Sequence, residues 1–75
     1  MKLSTAPIGQ KLVIVKIGNV KEKERLQDMG VTAGVTIQVI NKAPLKGPIE
    51  ISIKGFRLAV RSSLADNIDV NLQPV

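Results

Sequence analysis

The chain contains neither cysteine nor histidine in its 75 residues, which excludes disulfides, thiolate metal sites and imidazole chemistry. Six carboxylates remain as candidate metal ligands: Glu22, Glu24, Asp28, Glu50, Asp66 and Asp69. An oxygen-only set does not make the usual iron or zinc site, so no metal site and no cofactor are expected. Tryptophan and tyrosine are also absent, and Phe56 is the single aromatic residue. The apolar content is carried by Val, Ile and Leu, a composition that favours strands. Long hydrophobic runs are missing too. The longest, Leu12-Val13-Ile14-Val15, falls far short of the roughly 20 residues that span a bilayer. The stretch from Met1 to Pro7 has no apolar segment of the kind a secretory signal needs. A soluble, cytoplasmic, single-domain chain over 1–75 is the expectation.

Negative charge is in the minority, with 6 acidic against 11 basic residues and a net charge of +5. That sign suits nucleic acid, an anionic membrane face or an acidic protein partner. The basic residues are scattered from Lys2 to Arg61 and never adjacent, so they predict a diffusely basic surface rather than a binding tract.

What the chain does have is dense backbone punctuation. In Leu26-Gln27-Asp28-Met29-Gly30-Val31, placing Gly30 just past the helix end puts Leu26 and Val31 at the two positions whose apolar contact accompanies a Schellman ending. Gly34 then suits the third position of a type II turn over Thr32-Ala33-Gly34-Val35. Upstream, Leu12 to Ile17 reads as a strand covered on both sides for part of its length and closed by Gly18. Asn19 is placed to cap a helix over about 20–29, with Glu22 completing a capping box. Leu26 and Met29 share the inward face of that helix.

Residues 35–41 alternate with period two and put Val35, Ile37 and Val39 on one face, with Ile40 pointing the other way. Two prolines and a glycine make Ala43 to Pro48 a loop. With Lys54-Gly55 as a two-residue hairpin turn, Ile53 pairs with Phe56, Ile51 with Leu58 and Ile49 with Val60. Every apolar side chain then falls on one face, including an inward Phe56, and a slip of one residue would destroy the segregation. A short helical turn over about 63–66 with a serine cap, and a strand from Ile68 to Leu72, complete the chain. Five short strands with one inserted helix predict a mainly β fold, a small, strongly bent barrel whose closure removes exposed edges.

Catalysis has little support. Ser4, Ser52, Ser62 and Ser63 lie in no motif with a base, and the Glu24 and Asp28 pair reads as a solvated helix face. No glycine-rich phosphate cradle occurs. Arg25, Arg57 or Arg61 could in principle be supplied in trans to a nucleotide-hydrolysing partner, although ordinary surface arginines are the simpler reading. An enzyme is not expected.

Four elements in order carry a family resemblance: Leu26-x-x-Met29-Gly30-Val31-x-x-Gly34-x-x-Ile37, Ala43-Pro44-x-x-Gly47-Pro48, Gly55-x-x-Leu58-Ala59-Val60-Arg61 and Ala65-x-x-Ile68-x-Val70. Together they resemble the FeoA family from the region of Leu3 to Val70. The resemblance implies an SH3-like β-barrel and a cytoplasmic accessory protein of bacterial ferrous iron uptake. It implies as partner a membrane ferrous iron permease with a G-protein domain, and contact with the membrane only through that partner. The family-level association with transition metals finds no ligand set in this chain. Two departures stand out: Ala33 replaces the usual proline before the turn glycine, and Leu64 replaces an acidic residue that would partner Arg61.

Protein docking is the expected function. Leu45 at the loop tip and Ile40 lack an evident core role, while Leu26 and Met29 border the Gly30 bend, where core packing is the plainer reading. With Lys46, Arg57 and Arg61 as a basic rim, these residues form the candidate partner surface. The alternatives are a stand-alone SH3-like module of a metal-responsive repressor system and a small basic nucleic-acid-binding barrel. An inward Phe56 would leave the latter no stacking platform, so no specific nucleic acid is expected. A homodimer through barrel edges is compatible with the sequence.

Overall fold

Alternating branched residues around Lys54-Gly55 build the centre of the molecule. In the computed structural model, which describes residues 1–74, strands β3 (Ile49–Ile53) and β4 (Phe56–Val60) pair in the expected register, Ile53 with Phe56, Ile51 with Leu58 and Ile49 with Val60. Both turn residues have positive φ, +48° at Lys54 and +83° at Gly55, the conformation whose twist matches that of the flanking strands. Three further strands, β1 (Lys11–Ile17), β2 (Thr36–Lys42) and β5 (Ile68–Leu72), complete an antiparallel sheet in the order β4-β3-β2-β1-β5. The fold is mainly β and SH3-like, with two small helices, α1 (Lys23–Asp28) and α2 (Ser62–Ala65).

β1 differs from the expectation of cover on both sides. A bulge between Ile14 and Lys16 resets its register against β5, and Val15 is exposed between buried Ile14 and Ile17. A second bulge between Val39 and Asn41 accommodates Ile40, which is half-buried. Phe56 corrects the reading more sharply. Its register is as expected, yet it is 39% exposed, because β4 is an edge strand covered by β3 on one side only.

The helix end follows the local code. Val31 N–H donates to the Leu26 carbonyl at 2.8 Å and Gly30 N–H to that of Gln27 at 2.9 Å, the two bonds of a Schellman ending. Gly30 has φ +88°, and Leu26 and Val31 are both buried. The following turn closes through Val35 N–H to the Thr32 carbonyl at 3.3 Å.

The helix start does not follow that code. Asn19 caps nothing; the cap position is Glu22, itself helical, and no side chain bonds there. Gly18 N–H is held by the Asn67 carbonyl at 2.7 Å, and Lys23 N–H reaches the Val20 carbonyl at 3.1 Å, so residues 19–22 are spent on turns. The serine cap of α2 is absent as well. Ser62 Oγ donates instead toward the Lys46 and Gly47 carbonyls, at 2.8 and 2.7 Å, and ties the 43–48 loop to α2.

Backbone pairing does not close the barrel, since β4 and β5 remain its two edges. The β5 edge is covered by the N-terminal segment: Val70 N–H donates to the Met1 carbonyl at 2.8 Å, the Met1 amino group donates to the Val70 carbonyl at 2.9 Å, and Lys2 bridges to Asp69. A 3-10 turn at Leu3–Thr5 then carries Leu3 and Ala6 into the core.

Candidate functional site

Helix α1 and edge strand β4 line opposite sides of one groove, and charged side chains approach the helix region at two places. At one, Glu22 pairs with Arg61, which supplies the partner that Leu64 cannot. At the other, Lys54 Nζ lies 2.9 Å from where a Cβ of Gly30 would be. The groove has a volume of about 400 Å³ and is walled by Arg25 of the helix with Lys21 and Met29 on its flanks, and by Leu58, Ala59 and Arg61 from the strand side. Leu26, only 5% exposed, forms part of its floor. Met29 is 38% exposed and is a wall residue, not the inward neighbour of Leu26 that helical spacing predicted.

The structure therefore brings together Leu26, Met29 and Arg61 of the residues singled out in the sequence. Arg57 lies on the same strand but outside the groove, 3.9 Å from Glu50 across the β3–β4 ladder. An exposed pair at that distance contributes little. Ile40 takes no part. Lys21, Glu22, Leu58 and Ala59 were not expected at the site, although Arg57 within β4 and Arg61 just after it were a usable signal.

Leu45 and Lys46 form a separate feature. The loop closes by a bond from Gly47 N–H to the Pro44 carbonyl at 3.1 Å, which leaves Leu45 and Lys46 at the turn centre with φ of +58° and +57°. Both lack the freedom of glycine, and Leu45 is 99% exposed. The left-handed conformation costs an ordinary residue roughly 1–2 kcal/mol. Asparagine tolerates it, so Leu45→Asn is expected to raise stability by about 1 kcal/mol and Tm by several degrees. A thermal melt in which the variant unfolds at lower temperature would contradict this origin of the strain. The loop thus holds an apolar side chain in solvent on a strained turn.

The exposure of Phe56 withdraws one argument against single-stranded nucleic acid. A lone ring still offers one stacking site, whereas such binders use successive ones. Among the described residues no three Asp or Glu side chains gather to hold a metal ion, and no helix is long and apolar enough to cross a membrane.

A family model for the FeoA domain matches residues 1–72. The chain belongs to the FeoA family. A fusion protein of Porphyromonas gingivalis, Fe(2+) transport protein A joined to the Fe(2+) transporter FeoB, is 34% identical over 73 residues. That match covers 96% of this chain and 9% of the fusion protein, so the chain spans under a tenth of that relative. Among solved structures, an iron uptake regulatory protein (FeoA) is 40% identical with a TM-score of 0.80, covering 93% of this chain and 92% of that one. The zinc complex of Stenotrophomonas maltophilia FeoA, described as a prokaryotic SH3 domain protein, is 25% identical with a TM-score of 0.81, covering 95% and 89%. This FeoA chain thus has the family's fold, and the fusion protein it matches is one of ferrous iron transport.

Proposed function

We propose that this FeoA chain is a noncatalytic cytoplasmic accessory protein of bacterial ferrous iron uptake. It docks on the membrane permease that carries a G-protein domain and modulates the permease's assembly or activity. The observation that carries this reading is the fusion in Porphyromonas gingivalis, where an FeoA sequence and the FeoB transporter share one polypeptide. Covalent linkage raises effective concentration and is useful only where geometry lets the parts engage. The exposed Leu45 tip and the basic groove supply two surfaces suited to such an encounter, an apolar anchor and a charged rim.

Deletion of the gene is expected to lower ferrous iron uptake several-fold, measured with radioactive Fe(II) under reducing conditions. Affinity capture from detergent-solubilised membranes is expected to recover the permease with the wild-type chain and to recover less with Leu45→Asp. Undiminished uptake in the deletion strain, together with no captured permease, would overturn the reading. Equal capture by both forms would remove the 43–48 loop from the interface.

A further inference from the structure

The two sheet edges are treated differently. β5 is covered by Met1 and Lys2, whereas the outer side of β4 faces the groove. In a two-residue hairpin the residues flanking the turn exchange both hydrogen bonds, and bonded pairs alternate along the ladder. Phe56, Leu58 and Val60 therefore turn their N–H and C=O groups toward β3, while those of Arg57 and Ala59 point away from it. Among the described residues no turn, loop or cap bond uses the Arg57 or Ala59 backbone groups. Exposed strand edges are normally covered or blocked, and an uncovered one is a template for another strand.

We propose that the open edge of β4, together with the groove between it and α1, receives an extended acidic segment of a partner protein, which adds to the sheet as a sixth strand through the backbone of Ala59 in the groove and of Arg57 just beyond it. The five residues of β4 span about 17 Å at the usual rise per residue, enough for a short added strand. One branched apolar side chain of that segment would pack on Leu26, Met29 and Leu58. Its flanking carboxylates would meet Lys21 and Arg25, since Glu22, the only acidic side chain among the described residues that line the groove, is already paired with Arg61. Main-chain bonds supply affinity in this mode and side-chain positions supply selectivity.

Charge decides among occupants. A second copy of this chain would bring its own Arg57 and Arg61 and another net charge of +5 against the same edge. A proline-rich segment would need an aromatic-lined groove, and among the described residues none that lines this one is aromatic. The inference rests on the docking reading for the owner of the segment, the permease, but its binding mode is tested separately.

The test uses the full chain labelled with nitrogen-15 and a blocked peptide, Glu-Val-Asp-Val-Glu, with Lys-Val-Lys-Val-Lys as control. The acidic peptide is expected to shift the Arg57 and Ala59 amides and slow their hydrogen exchange at least tenfold, with no effect of the basic one. Ala59→Pro removes an outward N–H without touching the β3 ladder, an edge position where proline is tolerated, and is expected to abolish binding. Lys21→Glu with Arg25→Glu leaves the strand untouched and is expected to weaken binding at least tenfold. Equal binding of both peptides, shifts confined to other surfaces, self-association through β4, or stronger displacement of the same amides by an oligouridine strand would each overturn the proposal. Permease capture separates the two readings. Capture by Ala59→Pro at the wild-type level would overturn the groove and leave docking intact, whereas peptide binding without any wild-type capture would overturn docking and leave the groove.

Discussion

Truncating Leu3 to alanine is expected to remove a large part of the stability of this protein. Leu3 is 0% exposed, and its 3-10 turn packs against β5 and α2. Removing a fully buried leucine costs about 2–5 kcal/mol, through lost transfer free energy and the cavity left behind. A domain of 75 residues has a total of only about 4–11 kcal/mol at the usual stability per residue. Urea unfolding should therefore show a much lower midpoint with an unchanged slope, since the surface exposed on unfolding is nearly the same. Leu45→Ala is the matched control. It truncates the same residue type where the side chain is 99% exposed, and should change stability by no more than about 0.5 kcal/mol. Equal losses at the two positions would contradict the burial of the N-terminal turn. Detached from the sheet, that turn would also uncover the β5 edge, so the Leu3 variant is expected to aggregate more readily on heating.

Gly30→Val is expected to be the next most damaging single change, with a loss of about 2 kcal/mol in the same unfolding experiment. Two causes compete. The φ of +88° is a left-handed conformation that a β-branched residue adopts only as an outlier, and a new Cβ would lie 2.9 Å from Lys54 Nζ. The second cause is weak, because Nζ is the free end of a flexible side chain and can swing aside. A double-mutant cycle separates them. If backbone strain dominates, Lys54→Ala does not rescue Gly30→Val and the coupling energy stays within about 0.5 kcal/mol. Rescue of most of the loss would assign it to the contact instead.

Legibility in the sequence followed the range of the interactions. The Ile49 to Val60 hairpin was readable to the residue, because burial alternates with period two and only one turn position sorts Ile49, Ile51 and Ile53 onto a single face. The Leu26 to Val31 ending was equally readable, since its hydrogen bonds connect residues no more than five apart in sequence. Phe56 shows the limit of that logic. Face and depth are different quantities, and the register gave its face while the edge position of β4 set its 39% exposure. Among the candidate site residues, Leu45 was recognised from a proline-bounded loop. Helical spacing places Met29 inward beside Leu26, whereas the fold makes it a groove wall.

The sequence by itself determined the elements whose causes are local: strand faces, the hairpin register, the stop at Gly30 and the loop from Ala43 to Pro48. It also carried the motif order that places the chain in the FeoA family. Only the tertiary structure decided where α1 begins, because Gly18 is held by Asn67, a residue far along the chain. It likewise decided that Glu22 neutralises Arg61, that Leu3 plugs the core, and that one sheet edge is covered while the other opens on a basic groove. Each of those outcomes depends on which distant segments meet, and short-range periodicity holds no record of that.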